Sequence, residues 1–368
     1  MTRACLGAAC GLTAGVCCAE EALVDLAALQ ALGDHVTSAV QRVDWLLARQ
    51  LVHEYAASPA FNAHIGANLA EDLLPHEALR GVVEETLDRA MAVNSLADLA
   101  RLGPTNATDL KLRMDFARCY SMRALAHLKR SRPTEADAAM ALARSYMHDG
   151  VAPQASDLMR TALIAHALGR QADAWDALQS ALLADSAVEQ ADPTYGPGVQ
   201  AVVEAHEGRA VDLAASLTAL RWRNAAAVPD LALLRHDGTR FTLSERRGEV
   251  LFINFFSPYC GTCRMELPAA KALADLCSQP GRVEFLFLLN QPQSADVAAR
   301  FLAAVGVPME RVVTLQQGNA YDYIAGEPAV WILDDAGRLV ARHVGYREGD
   351  AAVYEAELRR VRARASSP

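Results

Sequence analysis

The chain is short of basic clusters, of zinc and phosphate motifs and of cysteine pairs, and each shortage removes a class of function. Lys and Arg number 35 against 44 Asp and Glu, a formal charge of −9. No stretch gathers Lys and Arg with aromatics, so nucleic acid is not expected as a partner, nor an anionic membrane surface. His53-Glu54, His76-Glu77 and His206-Glu207 each lack the second histidine of a zinc-hydrolase helix, and no glycine loop opens a helix to cradle phosphate. Neither a metal nor a cofactor is expected.

Of eight cysteines, Cys5, Cys10, Cys17 and Cys18 crowd the first residues. There Arg3 is followed by an uncharged run from Ala4 to Ala19, closed by Glu20-Glu21. That pattern reads as a secretory signal over residues 1–19, cleaved after Ala19, since the run is short for a membrane span. Gly7, Gly11 and Gly15 fit helix packing in a membrane, which keeps an uncleaved anchor as an alternative. Lipid attachment at Cys17 or Cys18 ranks lower, because Ala14-Gly15-Val16 lacks the leucine usual three before such a cysteine. The expected location is periplasmic or otherwise exported. The mature chain then keeps Cys119, Cys260, Cys263 and Cys277, with one close pair, which points to redox chemistry rather than a disulfide framework.

Length favours two domains. From Glu20 to Asn224, Ala and Leu recur at three- and four-residue spacings between Pro and Gly signals, which predicts an all-α domain. Around Leu168-Gly169-Arg170, with Ala174, Ala181, Leu182 and Asp185 following, the sequence resembles one tetratricopeptide repeat. A second glycine turn at Gly208 comes 39 residues after Gly169, against a usual period of about 34, so a general helical bundle stays open beside a TPR-like solenoid. Trp45, Trp175 and Trp222 are core candidates.

Beyond Val228 the pattern changes. Leu231 to Leu234 and Phe241 to Leu243 flank Asp237-Gly238 as a hairpin, and Val250 to Phe256 is a run long enough for a buried strand. A helix should open at Cys260. Val283 to Leu289, Val312 to Leu315, Val330 to Leu333 and Arg338 to His343 read as further strands. Ser294 to Ala304 and Asp350 to Arg364 read as helices, the former capped by Ser294. Strand and helix alternate, then a hairpin at Asp334-Asp-Ala-Gly337 closes the domain, so the expected fold over 228–365 is α/β with a mixed sheet.

A C-x-x-C pair after a buried strand and opening a helix suits thiol chemistry, because the helix N-terminus stabilises a thiolate and the spacing lets the second sulfur reach the first. Half of a metal site or a structural disulfide are the alternatives. Cys119 and Cys277 are expected to be buried packing residues.

The segment Asn254-Phe-Phe-Ser-Pro-Tyr-Cys260-Gly-Thr-Cys263-Arg-Met-Glu266-Leu-Pro268 resembles the active site of the TlpA/ResA-type thioredoxin-like proteins. The leading hairpin and Gly326-Glu-Pro328 before the strand Ala329-Val-Trp-Ile-Leu333 extend the resemblance over about 135 residues. It implies a thioredoxin fold, Cys260 as exposed nucleophile, Cys263 as resolving thiol, Glu266 as proton carrier and Pro328 as a cis-proline facing the cysteines. Substrate would be held by the backbone beside that proline, at Glu327 and Ala329. Asn254 stands where thioredoxins proper keep a buried aspartate, which leaves the proton to Glu266. Three-residue spacing alone also allows Glu266 to be a solvated helix residue. Pro268 is expected to kink the helix, and Arg264 to point outward.

Glu327 departs from the family, which commonly has an uncharged residue there. Facing Cys260, a carboxylate would disfavour the thiolate, or it would select a basic substrate segment. With no histidine in Gly261-Thr262, the expected potential lies at roughly −200 to −280 mV, and the expected activity is reduction of protein disulfides. The resemblance implies a protein thiol or disulfide client and a membrane thiol electron donor, with the helical domain offering a surface on which the client could dock. Two alternatives remain. One is a helical interaction scaffold carrying an accessory redox domain. The other is a thiol peroxidase, since Ser257-Pro-Tyr-Cys260 supplies a Ser-x-x-Cys portion, although Ile253 occupies the position of that site's proline.

Overall fold

The computed structural model describes residues 28–58, 61–93, 107–147, 153–190, 192, 195–276, 283–290, 295–347 and 349–365. The expected signal at 1–19, the Ser294 cap and Cys277 lie outside them. Among the described residues no helix is long and apolar enough to cross a membrane.

The chain divides into two compact units, one of residues 1–151 with 167–169, the other of 152–166 with 170–368. Helices do give way to strands at Ala226, two residues before Val228. The compact bodies nevertheless divide near residue 151, so the expected single helical domain over 20–224 spans both.

The first unit is helical: α1 (28–41), α2 (Trp45–Ala57), α3 (Ala63–Leu73), α4 (Arg80–Val93), α5 (Ala107–Lys129) and α6 (Pro133–Tyr146). Local chemistry sets the starts. Asn62 caps α3 through the Ile65 amide, and Pro133 opens α6 where no amide hydrogen is needed. Small residues let helices close up: a Cβ on Gly66 would meet the Ala90 Cβ at 2.3 Å. Cys119 is fully buried, its thiol donating to the Ala63 carbonyl, as a packing cysteine should be. Burial pushes that thiol up to about 12, which makes it inert as a nucleophile.

The second unit begins with α7 (Ala155–Ala167), α8 (Gln171–Ala184), α9 (Tyr195–Glu207) and α10 (Leu213–Asn224). Gly169 and Gly208 both adopt positive φ at the helix turns read from the sequence. Ala174, Ala181 and Leu182 are buried on α8, as the helix-pair reading requires. Trp175 and Trp222 are only half buried, as is Trp45 in the first unit. The core tryptophan is instead Trp331, in a central strand where both faces are covered.

An eight-stranded sheet follows: β1 (Ala226–Ala227), β2 (Ala232–Arg235), β3 (Arg240–Thr242), β4 (Val250–Phe256), β5 (Val283–Leu289), β6 (Val312–Leu315), β7 (Ala329–Leu333) and β8 (Arg338–Val344), in the order β1-β8-β7-β4-β5-β6-β2-β3. The strands β4, β5 and β6 run parallel, and β7 returns antiparallel beside β4. Helices α11 (Gly261–Leu276), α12 (Ala295–Val305) and α13 (Asp350–Ala365) complete the unit. β4 is buried throughout because both faces are packed: Phe252 and Phe256 look toward one core, Leu251, Ile253 and Phe255 toward the other. This is a thioredoxin-like sheet, and its parallel centre delivers the end of β4 to the start of α11, where Cys260 stands.

The turn after α8 is tied to this sheet by directed polar contacts, and Arg221 on α10 bonds the same turn through the Ser186 carbonyl. The Ser186 amide donates to the Arg342 carbonyl at 2.6 Å, and the Arg342 amide donates to Ser186 Oγ at 2.9 Å. Those bonds explain why the compact unit starts before the first strand.

Candidate active site

Cys260 and Cys263 are joined as a disulfide across the first turn of α11, with Cα atoms 5.2 Å apart. Cys260 is partly exposed and Cys263 fully buried, which separates an attacking from a resolving position. The Cys263 amide donates to Cys260 Sγ at 3.1 Å, so an unsatisfied helix-end amide points at the outer sulfur. Arg264 is exposed, but its guanidinium folds back onto the Pro258 carbonyl at 2.9 and 3.1 Å, bracing the loop before Cys260. α11 runs through Pro268 without a break.

Behind the pair, Glu266 is fully buried. It is no solvated helix residue. Tyr354 on α13 donates its hydroxyl to Glu266 Oε1 at 2.8 Å, and Asn254 Nδ2 on β4 donates to Oε2 at 2.6 Å. Burial pushes the carboxyl up to about 7, against the pull of those two hydrogen bonds. A carboxyl titrating there can take a proton and return it near neutral pH. The Asn254 Oδ1 is buried without a partner, leaving an acceptor beside the acid for its protonated form.

In front of the pair, the Glu327–Pro328 peptide is cis at the entry to β7. The Glu327 carboxylate and both sulfurs lie within 4.8 Å of one another. Asn290 Nδ2 donates to Glu327 Oε1, and the Tyr321 hydroxyl also bonds this carboxylate. Burial and that bond raise the phenol above its usual range. Ala329 is a different matter. Its side chain is buried and it aligns with Phe255 on β4 and Val344 on β8, while the Pro328 carbonyl accepts from the Gly345 amide. The Ala329 side chain thus lies in the sheet floor, while Glu327 is half exposed beside the pair. Exposed Tyr259 and Met265 flank the pair in sequence.

Sequence reasoning missed Tyr354, Asn290 and Tyr321. Tyr354 had a signal: with Leu358 and Val361 it forms a buried stripe at helical spacing on an otherwise charged helix. Asn290 and Tyr321 had none, since their roles depend on loops meeting in space.

Residues 223–358 match the redoxin family model. The C-terminal region carries a redoxin domain. Its relatives include the thioredoxin-like protein YneN of Bacillus subtilis, 24% identical over 117 residues that make 32% of this chain and 69% of that protein. The thiol:disulfide interchange protein HelX of Rhodobacter capsulatus is 33% identical over 103 residues, 27% of this chain and 54% of that protein. Among solved structures, a thiol:disulfide interchange protein of the thioredoxin family from Chlorobium tepidum is 20% identical with a TM-score of 0.32, covering 38% of this chain and 97% of that one. The redoxin domain and its interchange relatives support a thioredoxin-like thiol-disulfide oxidoreductase.

Proposed function

We propose that the chain exchanges disulfides with protein clients, chiefly as a reductase, through Cys260 and Cys263. The observation that carries this is a half-exposed sulfur at a helix N-terminus, with a buried partner behind it and a carboxyl titrating near neutral behind both. The Cys260 thiolate attacks one sulfur of a client disulfide, forming a mixed disulfide and expelling the other client sulfur as a thiolate, which takes up a proton. Glu266 takes the proton of Cys263, whose thiolate attacks Cys260 and releases the second client thiol. Two electrons pass to the client and the Cys260–Cys263 disulfide remains. An external dithiol, by resemblance a membrane one, restores the pair.

The cis-proline edge and Glu327 form the client-facing wall. The carboxylate beside both sulfurs opposes formation of the Cys260 thiolate and favours a reducing couple. Export, as read from residues 1–19, agrees with dependence on such a donor. The helical part would dock the client, TPR-like or otherwise. Removing residues 20–224 would strip α8 and α10 from the sheet as well, so deletion of 20–151 is the cleaner test of docking.

Reduction of insulin by the dithiothreitol-reduced protein tests the activity. Turnover abolished by Cys260→Ser, with a trapped mixed disulfide in Cys263→Ser, is expected; undiminished turnover in Cys260→Ser overturns the reading. A peroxidase would instead consume hydrogen peroxide at a rate that survives Cys263→Ser.

A further inference from the structure

Behind Glu266 lies a second buried cluster that the exchange step does not itself use. The His343 ring on β8 packs against Tyr354 at 4.9 Å between centroids, and Tyr354 is the residue that holds Glu266. His343 Nε2 lies 2.7 Å from Glu357 Oε2 on α13, and its Nδ1 lies 3.6 Å from Asp185 Oδ1, at the C-terminal end of α8. Both ring nitrogens therefore face carboxylates. All three residues are buried.

The carboxylates are themselves fixed from the helical segment and the β8–α13 loop. Arg221 on α10 pairs with Glu357 at 3.4 Å and with Glu189 at 3.1 Å, while Arg347 pairs with Asp185 at 2.9 Å. The Asp185 Oδ1 also accepts from the Ala187 amide at 3.0 Å. Asp350, the first residue of α13, accepts from the Arg347 amide and acts on both this cluster and Glu266, while Arg360 acts on Glu357.

Burial alone would discharge His343, but Glu357 and Asp185 overcome it and push the imidazole up to about 9. A fixed positive charge thus sits one ring behind the phenol that bonds Glu266, and it draws the Glu266 carboxyl down, while Asp350 draws it up.

We propose that His343, clamped between Asp185 and Glu357, is a positioning residue for the redox site: it seats Tyr354 on Glu266 and makes the proton affinity of that carboxyl depend on helices α8 and α10. The helices are then part of the redox centre's back wall as well as a candidate docking surface. The geometry stands independently of the exchange reading; only its consequence for catalysis rests on that reading.

The test uses the full-length oxidised protein with ¹³C-labelled glutamate carboxyls, the Glu266 signal being assigned by its loss in Glu266→Gln. Asp185→Asn should move the His343 titration, followed by its ring signals, downward, and His343→Gln should move the Glu266 titration upward, by less than Tyr354→Phe does, because the hydroxyl bond outweighs the more distant charge. In the reduced protein the pH dependence of insulin reduction should move the same way, and adding His343→Gln to Glu266→Gln should move it no further. A purely structural role would lower the melting temperature and leave the titrations in place; an unmoved Glu266 signal in folded His343→Gln, or an unmoved His343 titration in folded Asp185→Asn, overturns the proposal. Should insulin not be reduced at all, the titration still decides the inference, and only the exchange reading falls.

Discussion

The two sides of the Cys260–Cys263 disulfide each carry one carboxylate, and the two live in opposite surroundings. Glu266, behind, is dry, held by Asn254 and Tyr354 and shifted toward neutrality by burial. Glu327, in front, is half exposed beside the cis-proline, with Asn290 and Tyr321 as its partners. The same side chain is thereby set in two environments. Under the proposed function the dry carboxyl is the proton carrier and the half-exposed one faces the client.

The largest expected break in this contrast is Glu266→Gln. General acid–base groups contribute on the order of 10²-fold or more, so insulin reduction at pH 7 should fall by about that factor, and its rise with pH through neutrality should disappear. An undiminished rate would assign the proton to another group. Glu327→Gln, by contrast, should change the rate only a few-fold.

Stability should respond in the opposite sense. Because the folded carboxyl of Glu266 titrates above its unfolded value, wild-type stability falls as pH rises from about 4.5 through about 7. At pH 8 Glu266→Gln, which removes that buried charge, should be more stable than wild type by up to about 3 kcal/mol in urea unfolding, and no more stable at pH 4. His343 adds a second limb: its folded value is raised, so the stability it contributes is complete below about pH 6.5 and lost as pH climbs through about 9. Urea midpoints for His343→Gln against wild type should converge over that window.

On the front side the effect is smaller. Glu327→Thr removes a charge within reach of both sulfurs and should lower the Cys260 thiol titration, followed by thiolate absorbance, by about one unit or less. A thiol that titrates unchanged would mean the carboxylate is neutral or turned away once the pair is reduced. Cys119→Ser should leave exchange untouched, since that thiol is buried in the first unit with burial raising it to about 12.

The front of the site was largely legible in the sequence. Strand, Cys260 and Cys263 follow one another in a local order that fixes their meeting, because a parallel strand hands the chain directly to a helix, whereas the place of Pro328 came only from the family resemblance. Strand bounds at Val250–Phe256, Val283–Leu289 and Val312–Leu315 were readable because buried runs end abruptly at turn residues. The back was legible only to Glu266. Its orientation depends on α13 returning 88 residues later to supply Tyr354, and the charge on His343 depends on Asp185, 158 positions earlier. Spacing rules reach one helix turn or one hairpin, so contacts of that separation leave no mark on them. The same limit hid the place where the compact units part, because helix periodicity is identical on both sides of residue 151. Trp331 shows the converse: Trp45, Trp175 and Trp222 were the core candidates, while a strand covered on both faces decides burial.

Equilibration of the purified protein against dithiothreitol and glutathione buffers, with the Cys260/Cys263 couple followed by thiol alkylation, tests the central claim most directly. A midpoint between about −200 and −280 mV is the predicted result for a reductase; a midpoint near about −120 mV, or a pair that does not exchange with either buffer, would contradict it.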